Sequence, residues 1–258
     1  MSIKIGPVAM RLIGDSARQA AAVVNLRSRL FVLLAAISLL GSVQLSPAAA
    51  EPDQRTLRWL QEVLLGPEYG GDGRRCARWT RQPTLSTYYA NREQSELVAD
   101  VVAELNDVLS QTSIGGIALL APQHDAADIR VYFVPLSRFP SLAAQLGFPY
   151  SNKDIGYFWD FWDDSHRIQR AYVLLASDRL KGRQLRHFAL EEITQSLGPM
   201  SDSSIYPQSA FYANGDDGGD AQHLGALDRK ALHLLYAWLR PGADRDELLT
   251  AVRDYWPD

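Results

Sequence analysis

The sequence predicts an α+β (mixed α/β) fold: one domain in which helices and the strands of a mixed, twisted sheet alternate along a continuous stretch of chain. Three observations carry this. Amphipathic helical periods and apolar runs of strand length follow one another with no internal repeat or low-complexity segment between them. One run, Ala171–Ser177, is apolar almost throughout, as a central strand buried on both faces must be. Hydrophobic residues make up 47% of the 258 and charged ones 22%, which excludes collagen-like, coiled-coil and wholly disordered chains.

The elements follow in order. Asp53 reads as the N-cap of a helix over residues 53–65, with Leu57, Leu60 and Leu64 at helical spacing and Gly66-Pro67 as its stop. A glycine-rich turn, Gly70 to Gly73, comes next. Short strands are expected at Cys76–Trp79 and Leu85–Tyr89. Leu97, Val101, Leu105 and Val108 mark an amphipathic helix over Glu93–Ser110. Ile114–Leu120 and Asp128–Pro135 read as strands and residues 137–147 as a short helix. Beyond the central strand, helices are expected over 184–197, around Leu227–Trp238, and near Asp246–Tyr255. The boundaries drawn are 1–50, 51–72 (helix and linker), 73–242 (the main domain) and 243–258 (a last helix).

Residues 1–50 read as an export signal. Arg27 and Arg29 precede the apolar run Leu30–Leu40, and Ala48, Ala49 and Ala50 supply a small-residue cleavage site near Ala50. The run is too short for a membrane span, which needs about 20 apolar residues. The mature chain is expected to be periplasmic or secreted, with no membrane span. Residues 1–50 hold five basic groups and one acidic group, leaving 21 basic against 29 acidic residues, a net of −8. That balance excludes a nucleic-acid partner. The single cysteine, Cys76, has no disulfide partner and reads as inert despite Arg74, Arg75 and Arg78 beside it.

One stretch carries chemical information: His187-Phe-Ala-Leu-Glu191-Glu192-Ile-Thr-Gln195-Ser-Leu-Gly198-Pro-Met-Ser201-Asp202. Residues i and i+4 of a helix share a face, so His187, Glu191 and Gln195 point the same way while Leu190, Ile193 and Leu197 pack inward. The spacing is that of H-E-x-x-H, in which two histidines grip zinc and the glutamate is a base. Here Glu191 and Gln195 hold the ligand positions and Glu192 the base position. His187 matches no position of that pattern and reads as a surface residue.

This stretch resembles metzincins, whose pattern continues to a glycine and a third histidine. Gly198 matches the glycine, Ser201 stands at the third ligand, and Ser209–Tyr212 resembles the segment leading to the methionine turn without its methionine. The order of elements over residues 74–240 resembles the same fold. A closer resemblance is to the bacterial domain of unknown function 2927, through Glu191, Glu192, Thr194, Gln195, Leu197, Gly198, Asp202, Ser209, Phe211, Leu235, Tyr236 and the run Arg240-Pro241-Gly242. Pro199, where an apolar residue is expected, departs from it, as does the lack of a lipid-anchoring cysteine. The resemblances imply a zincin-like (metzincin-like) domain with a degenerate motif helix over 184–197. From the family they imply export, and no established activity.

Replacing three histidines by Glu191, Gln195 and Ser201 removes every good zinc donor, so no zinc is expected. An all-oxygen set of Glu191, Gln195 and Asp202 suits Ca²⁺, Mg²⁺ or Mn²⁺ instead. Three readings stand: a solvated helix face; a cleft that binds without catalysis; and a metal-dependent, peptidase-like hydrolase in which Glu192 is the base. Upstream, Tyr157, Trp159 and Trp162 alternate in an aromatic run, which reads either as groove-lining side chains or as an edge strand packing its rings on the core. Asn214–Asp220 is acidic and glycine-rich without EF-hand spacing, and reads as a solvated loop. The expected function is a non-catalytic binding or assembly role toward an unidentified protein or peptide.

Overall fold

In the computed structural model the elements follow the expected order, and the structure describes residues 52–66, 75–150, 154–214 and 219–256. The export signal, the Gly70–Gly73 turn and residues 215–218 of the acidic loop lie outside the described residues. Helix α1 is Gln54–Leu65, opened by the Asp53 side chain accepting from the Thr56 N–H. Strand β1, Thr84–Tyr88, leads into α2, Arg92–Leu109, which starts with a reciprocal Asn91–Gln94 capping box. Then come β2 (Ala118–Leu119), β3 (Ile129–Val134) and, after a single 3₁₀ turn, α3 (Phe139–Leu146). Strands β4 (Gly156–Trp162) and β5 (Ile168–Ala176) precede α4 (Gly182–Gln195), α5 (Ala226–Ala237) and α6 (Arg245–Tyr255). Among the described residues no helix is long and apolar enough to cross a membrane.

The sheet has the order β2-β1-β3-β5-β4. The first four strands are parallel, and β4 runs antiparallel to β5 along one edge. Alternation along the strands divides the core in two. Leu85, Val131, Val173, Leu175 and Phe158 face the larger cluster, which they share with α1, α2, α4 and α5. Tyr88, Tyr132, Tyr157, Tyr172 and Leu174 face a smaller, aromatic cluster closed by Phe139 and Leu142 of α3 and by Phe148. Helices α1 and α6 belong to the same unit as the sheet, residues 49–258. Trp59 of α1 is fully buried against Phe211, with ring centroids 6.4 Å apart.

Two expected strands are shorter in the structure, each for a local reason. Cys76–Trp79 forms a single bridge, Arg78 to Arg167. Its backbone is divided between two partners: Cys76 bonds Gly242 and Ala243, whereas Arg78 bonds His166 and Ile168. Of Ile114–Leu120, only Ala118 and Leu119 pair. Gly115 and Gly116 have φ of 69° and 106°, and the Asn106 side chain takes both the N–H and the carbonyl of Ile117. Cys76 itself is buried, its thiol donates to the Arg240 carbonyl at 3.1 Å, and burial pushes its pKa up to about 11. Such a thiol is inert.

Two charged groups tie helices together. Glu104 of α2, nearly buried, accepts from the Leu224 N–H at 2.7 Å and pairs with Arg186 of α4 and Arg229 of α5 at 3.2 and 3.3 Å. Arg78 is buried with its guanidinium at the end of α5. It donates to the carbonyls of Leu235 (2.8 Å), Tyr236 (3.3 Å), Leu239 (2.5 Å) and Trp79 (3.1 Å), and to Ser113 Oγ at 2.6 Å. A cation fits there because the last carbonyls of a helix carry partial negative charge. The Tyr236 ring lies 4.6 Å beneath it. Arg78→Ala would strand several buried carbonyls, so urea unfolding should show a loss of more than about 3 kcal/mol. Arg78→Lys should recover less than half, because an ammonium cannot match the planar fork. A loss below about 1 kcal/mol for Arg78→Ala would show the clasp to be dispensable.

Candidate functional site

Helix α4 carries the motif, and its end is fixed by close approach. The Trp79 indole donates to the Ser196 carbonyl at 3.0 Å, and the Tyr236 hydroxyl to that of Leu197. Gly198 has a φ of 119°, and a Cβ there would overlap the Ala77 carbonyl. Only glycine combines that dihedral with that contact. Thr194 Oγ1 donates back to the Leu190 carbonyl at 2.5 Å, keeping its hydroxyl satisfied in the interior.

The polar face of this helix is not solvated. His187 is 1% exposed, Glu191 5%, Glu192 6% and Gln195 2%. A solvated face is one of the three readings the sequence leaves open, since Leu190, Ile193 and Leu197 already satisfy one apolar stripe. Residues 200–203, 219–221 and the start of β4 cover the other side. His187, expected at the surface, is the largest departure, with Nδ1 3.2 Å from the Ala221 carbonyl.

Beneath that cover the side chains form a chain of contacts. His187 Nε2 lies 3.5 Å from Glu191 Oε2. Glu191 hydrogen-bonds Asp202, and Gln195 Nε2 donates to Asp202 Oδ1 at 2.8 Å. Two carboxyl groups share a hydrogen bond only when one of them keeps a proton. Burial pushes the Asp202 carboxyl up to about 6, against the opposing hydrogen bonds from Gln195 and Glu191. The structure thus brings Glu191, Gln195 and Asp202 together and adds His187.

Ser201 is placed elsewhere. Its hydroxyl donates to the Gly66 carbonyl at the end of α1. Glu192 faces β4, where a Cβ on Gly156 would come within 2.5 Å of its Oε1. The residues at the three motif positions do not fit zinc: one is a carboxyl shared with Asp202, one an amide that donates to it, and one a hydroxyl held by backbone. Among the described residues no group of three His, Cys, Asp or Glu side chains is placed to hold a metal ion.

The aromatic run divides. Tyr157 is buried in the smaller cluster, and Trp159 stacks on Phe148 at 6.0 Å and 8°. Both lie on the sheet face away from α4. Trp162, 45% exposed, follows a register shift at the end of β4. The three do not line one groove: Tyr157 and Trp159, two positions apart, share one face, whereas Trp162 is three positions further on, beyond the register shift, and exposed. Between them in the chain, Asp160 is buried with neither oxygen hydrogen-bonded among the described residues, and burial pushes its pKa well up. No sequence signal marks it, since acids within an aromatic run read as solvent-facing.

Asp202 binds its proton more tightly folded than unfolded. The stability this contributes is complete below about pH 4 and is lost as pH rises through about 6. Urea unfolding at a series of pH values should therefore show wild type losing on the order of 2 kcal/mol relative to Asp202→Asn between pH 4 and pH 7. A difference independent of pH would refute the raised pKa.

Comparison with known proteins adds a family and a distant likeness. Two structures of myroilysin align over 62% of this chain at TM-scores of 0.36 and 0.35, with 11% and 12% identity, covering 95% and 86% of those chains. At such identities and TM-scores the likeness carries no argument about this chain's activity. A search of curated proteins finds no match. The family described as "Protein of unknown function (DUF2927)" matches residues 56–254, so nearly every described element, from α1 to α6, falls within it, and the chain belongs to that family.

Proposed function

We propose that this chain is an exported, non-catalytic binding or assembly protein in which the motif helix serves as a structural brace. One observation carries the reading: the side chains at the motif positions are hydrogen-bonded to one another or to backbone, beneath a covering layer. A general base must come within hydrogen-bond reach of its substrate, and neither Glu191 nor Glu192 is open to one. Export is supported by Arg27, Arg29 and the apolar run Leu30–Leu40 ahead of Ala50. The partner is a protein or peptide, and exposed Trp162 at the sheet edge is the part of the aromatic run open to it.

A second reading is favoured by the convergence of Glu191, Gln195 and Asp202: an oxygen-ligated Ca²⁺, Mg²⁺ or Mn²⁺ would make the chain a hydrolase with Glu192 as base. Elemental analysis of protein purified without chelators separates the two. The brace predicts no stoichiometric metal, no peptide hydrolysis, and a Glu191→Ala variant destabilised by about 2 kcal/mol through its lost buried hydrogen bonds. About one equivalent of metal that disappears in Glu191→Ala, with hydrolysis abolished by Glu192→Gln, would replace it with the hydrolase.

A further inference from the structure

On the sheet face opposite α4, the ends of the adjacent parallel strands β1 and β3 open into a cavity of about 250 Å³ between Tyr88, Tyr132 and α3. We propose that this cavity is a second, independent site, which takes a small organic carboxylate with a flat apolar body. Crevices beyond the carboxyl ends of parallel strands are recurrent ligand sites, but the residues here make the case.

Among the described residues, the positive charge in the cavity has no carboxylate ion-pair partner. Arg130 spends its hydrogen bonds on the carbonyls of Asp125 and Ala127 and on the Tyr132 hydroxyl, none of them an ion. A guanidinium has five N–H donors, so further ones remain for a ligand. Arg138, at the start of α3, is exposed and makes no side-chain hydrogen bond or ion pair among the described residues. Against these two charges the lining offers one carboxyl group, that of Asp125, so the cavity is positive by one. Planar guanidinium groups recognise carboxylates well.

The wall supplies a complementary donor and a flat surface. The Tyr88 hydroxyl is buried and has no hydrogen-bond partner among the described residues, the state a missing acceptor would leave. Its ring stacks on Tyr132 with centroids 4.6 Å apart. Next to it Tyr89, 65% exposed, sits in the left-handed region at a φ of 57°. That conformation is costly for an aromatic residue and turns the ring to within 6.3 Å of Tyr132. Leu142 and Leu146 line the side opposite the tyrosines. Volume, one net charge and two aromatic faces together describe a ring bearing a single carboxylate.

Calorimetric titration of the full chain with benzoate, with benzamide as the uncharged mimic and with inorganic phosphate, tests this. Benzoate should bind and benzamide should not. Arg138→Gln, at an exposed side chain with no partner among the described residues, should weaken benzoate about tenfold, and Tyr88→Phe, which removes only the hydroxyl, about threefold. Both variants should keep the wild-type circular dichroism spectrum. No benzoate binding up to about 10 mM overturns the proposal. Equal binding of benzamide, binding of phosphate in place of benzoate, or unchanged affinity in both variants does the same.

Discussion

A buried arginine at the end of a helix is the constraint around which this chain is arranged. Arg78 is desolvated where its segment bonds the start of β5 on one side and the loop after α5 on the other, and its charge is met by four backbone carbonyls and a serine hydroxyl. Three of those carbonyls, of Leu235, Tyr236 and Leu239, belong to the last turn of α5 and its extension, where no N–H of the helix remains to satisfy them. Once Arg78 is seated, its neighbours have little freedom. Ala77 lies against Gly198, Trp79 takes the carbonyl of Ser196, and Tyr236, under the guanidinium, takes that of Leu197. The end of α4 is thus held by a segment more than a hundred residues earlier.

That joint gives the family motif a physical content. Tyr236 closes the joint from α5, and Gly198 is the only residue type that fits against Ala77. Ser209 donates to Asp228 at 2.7 Å, while Asp228 also accepts the N–H groups of Ala210 and Gly225. Arg240 makes a paired contact with Glu247 at 2.7 and 2.8 Å. Phe211 packs on Trp59. Residues that look like a signature of chemistry when read in a line are, in space, the fastenings of α1, α4, α5 and α6.

The elements were legible in the sequence wherever one period dominates. Val101 and Leu105 could only belong to a helix with an apolar stripe, and Ala171–Ala176 only to a strand covered twice. The misread segments are those whose backbone is claimed by something out of sequence: Ile117 by an asparagine side chain, Cys76 and Arg78 by two different loops. Burial of the motif face was illegible for a related reason. A helical wheel shows which stripe is apolar, but not whether a later loop will fold over the polar one. Only Gln195 and Asp202, seven residues apart across the Gly198 turn, hinted at a partner for that face, and their bond at 2.8 Å is what the cover is built on.

The same geometry decides how much weight an i, i+4 pair of polar residues can bear. Two side chains one turn apart converge on a point whatever their chemistry, so the spacing in Glu191 and Gln195 is shared by zinc sites and by buried hydrogen-bond chains. What separates the two is where the remaining valence goes. An imidazole in a metal site directs one nitrogen at the ion and the other at a backbone or carboxylate acceptor. His187 has the second of these contacts, to Ala221, but its other nitrogen faces Glu191. Glu191 in turn meets Asp202, and Asp202 meets Gln195, so each group's free position is filled by the next. A chain closed in this way has no vacant donor aimed at a shared centre. To admit a cation it would have to give up the proton between Glu191 and Asp202 and turn the Gln195 amide about. The i, i+4 spacing of Glu191 and Gln195 is thus accounted for by the hydrogen bonds that both make to Asp202.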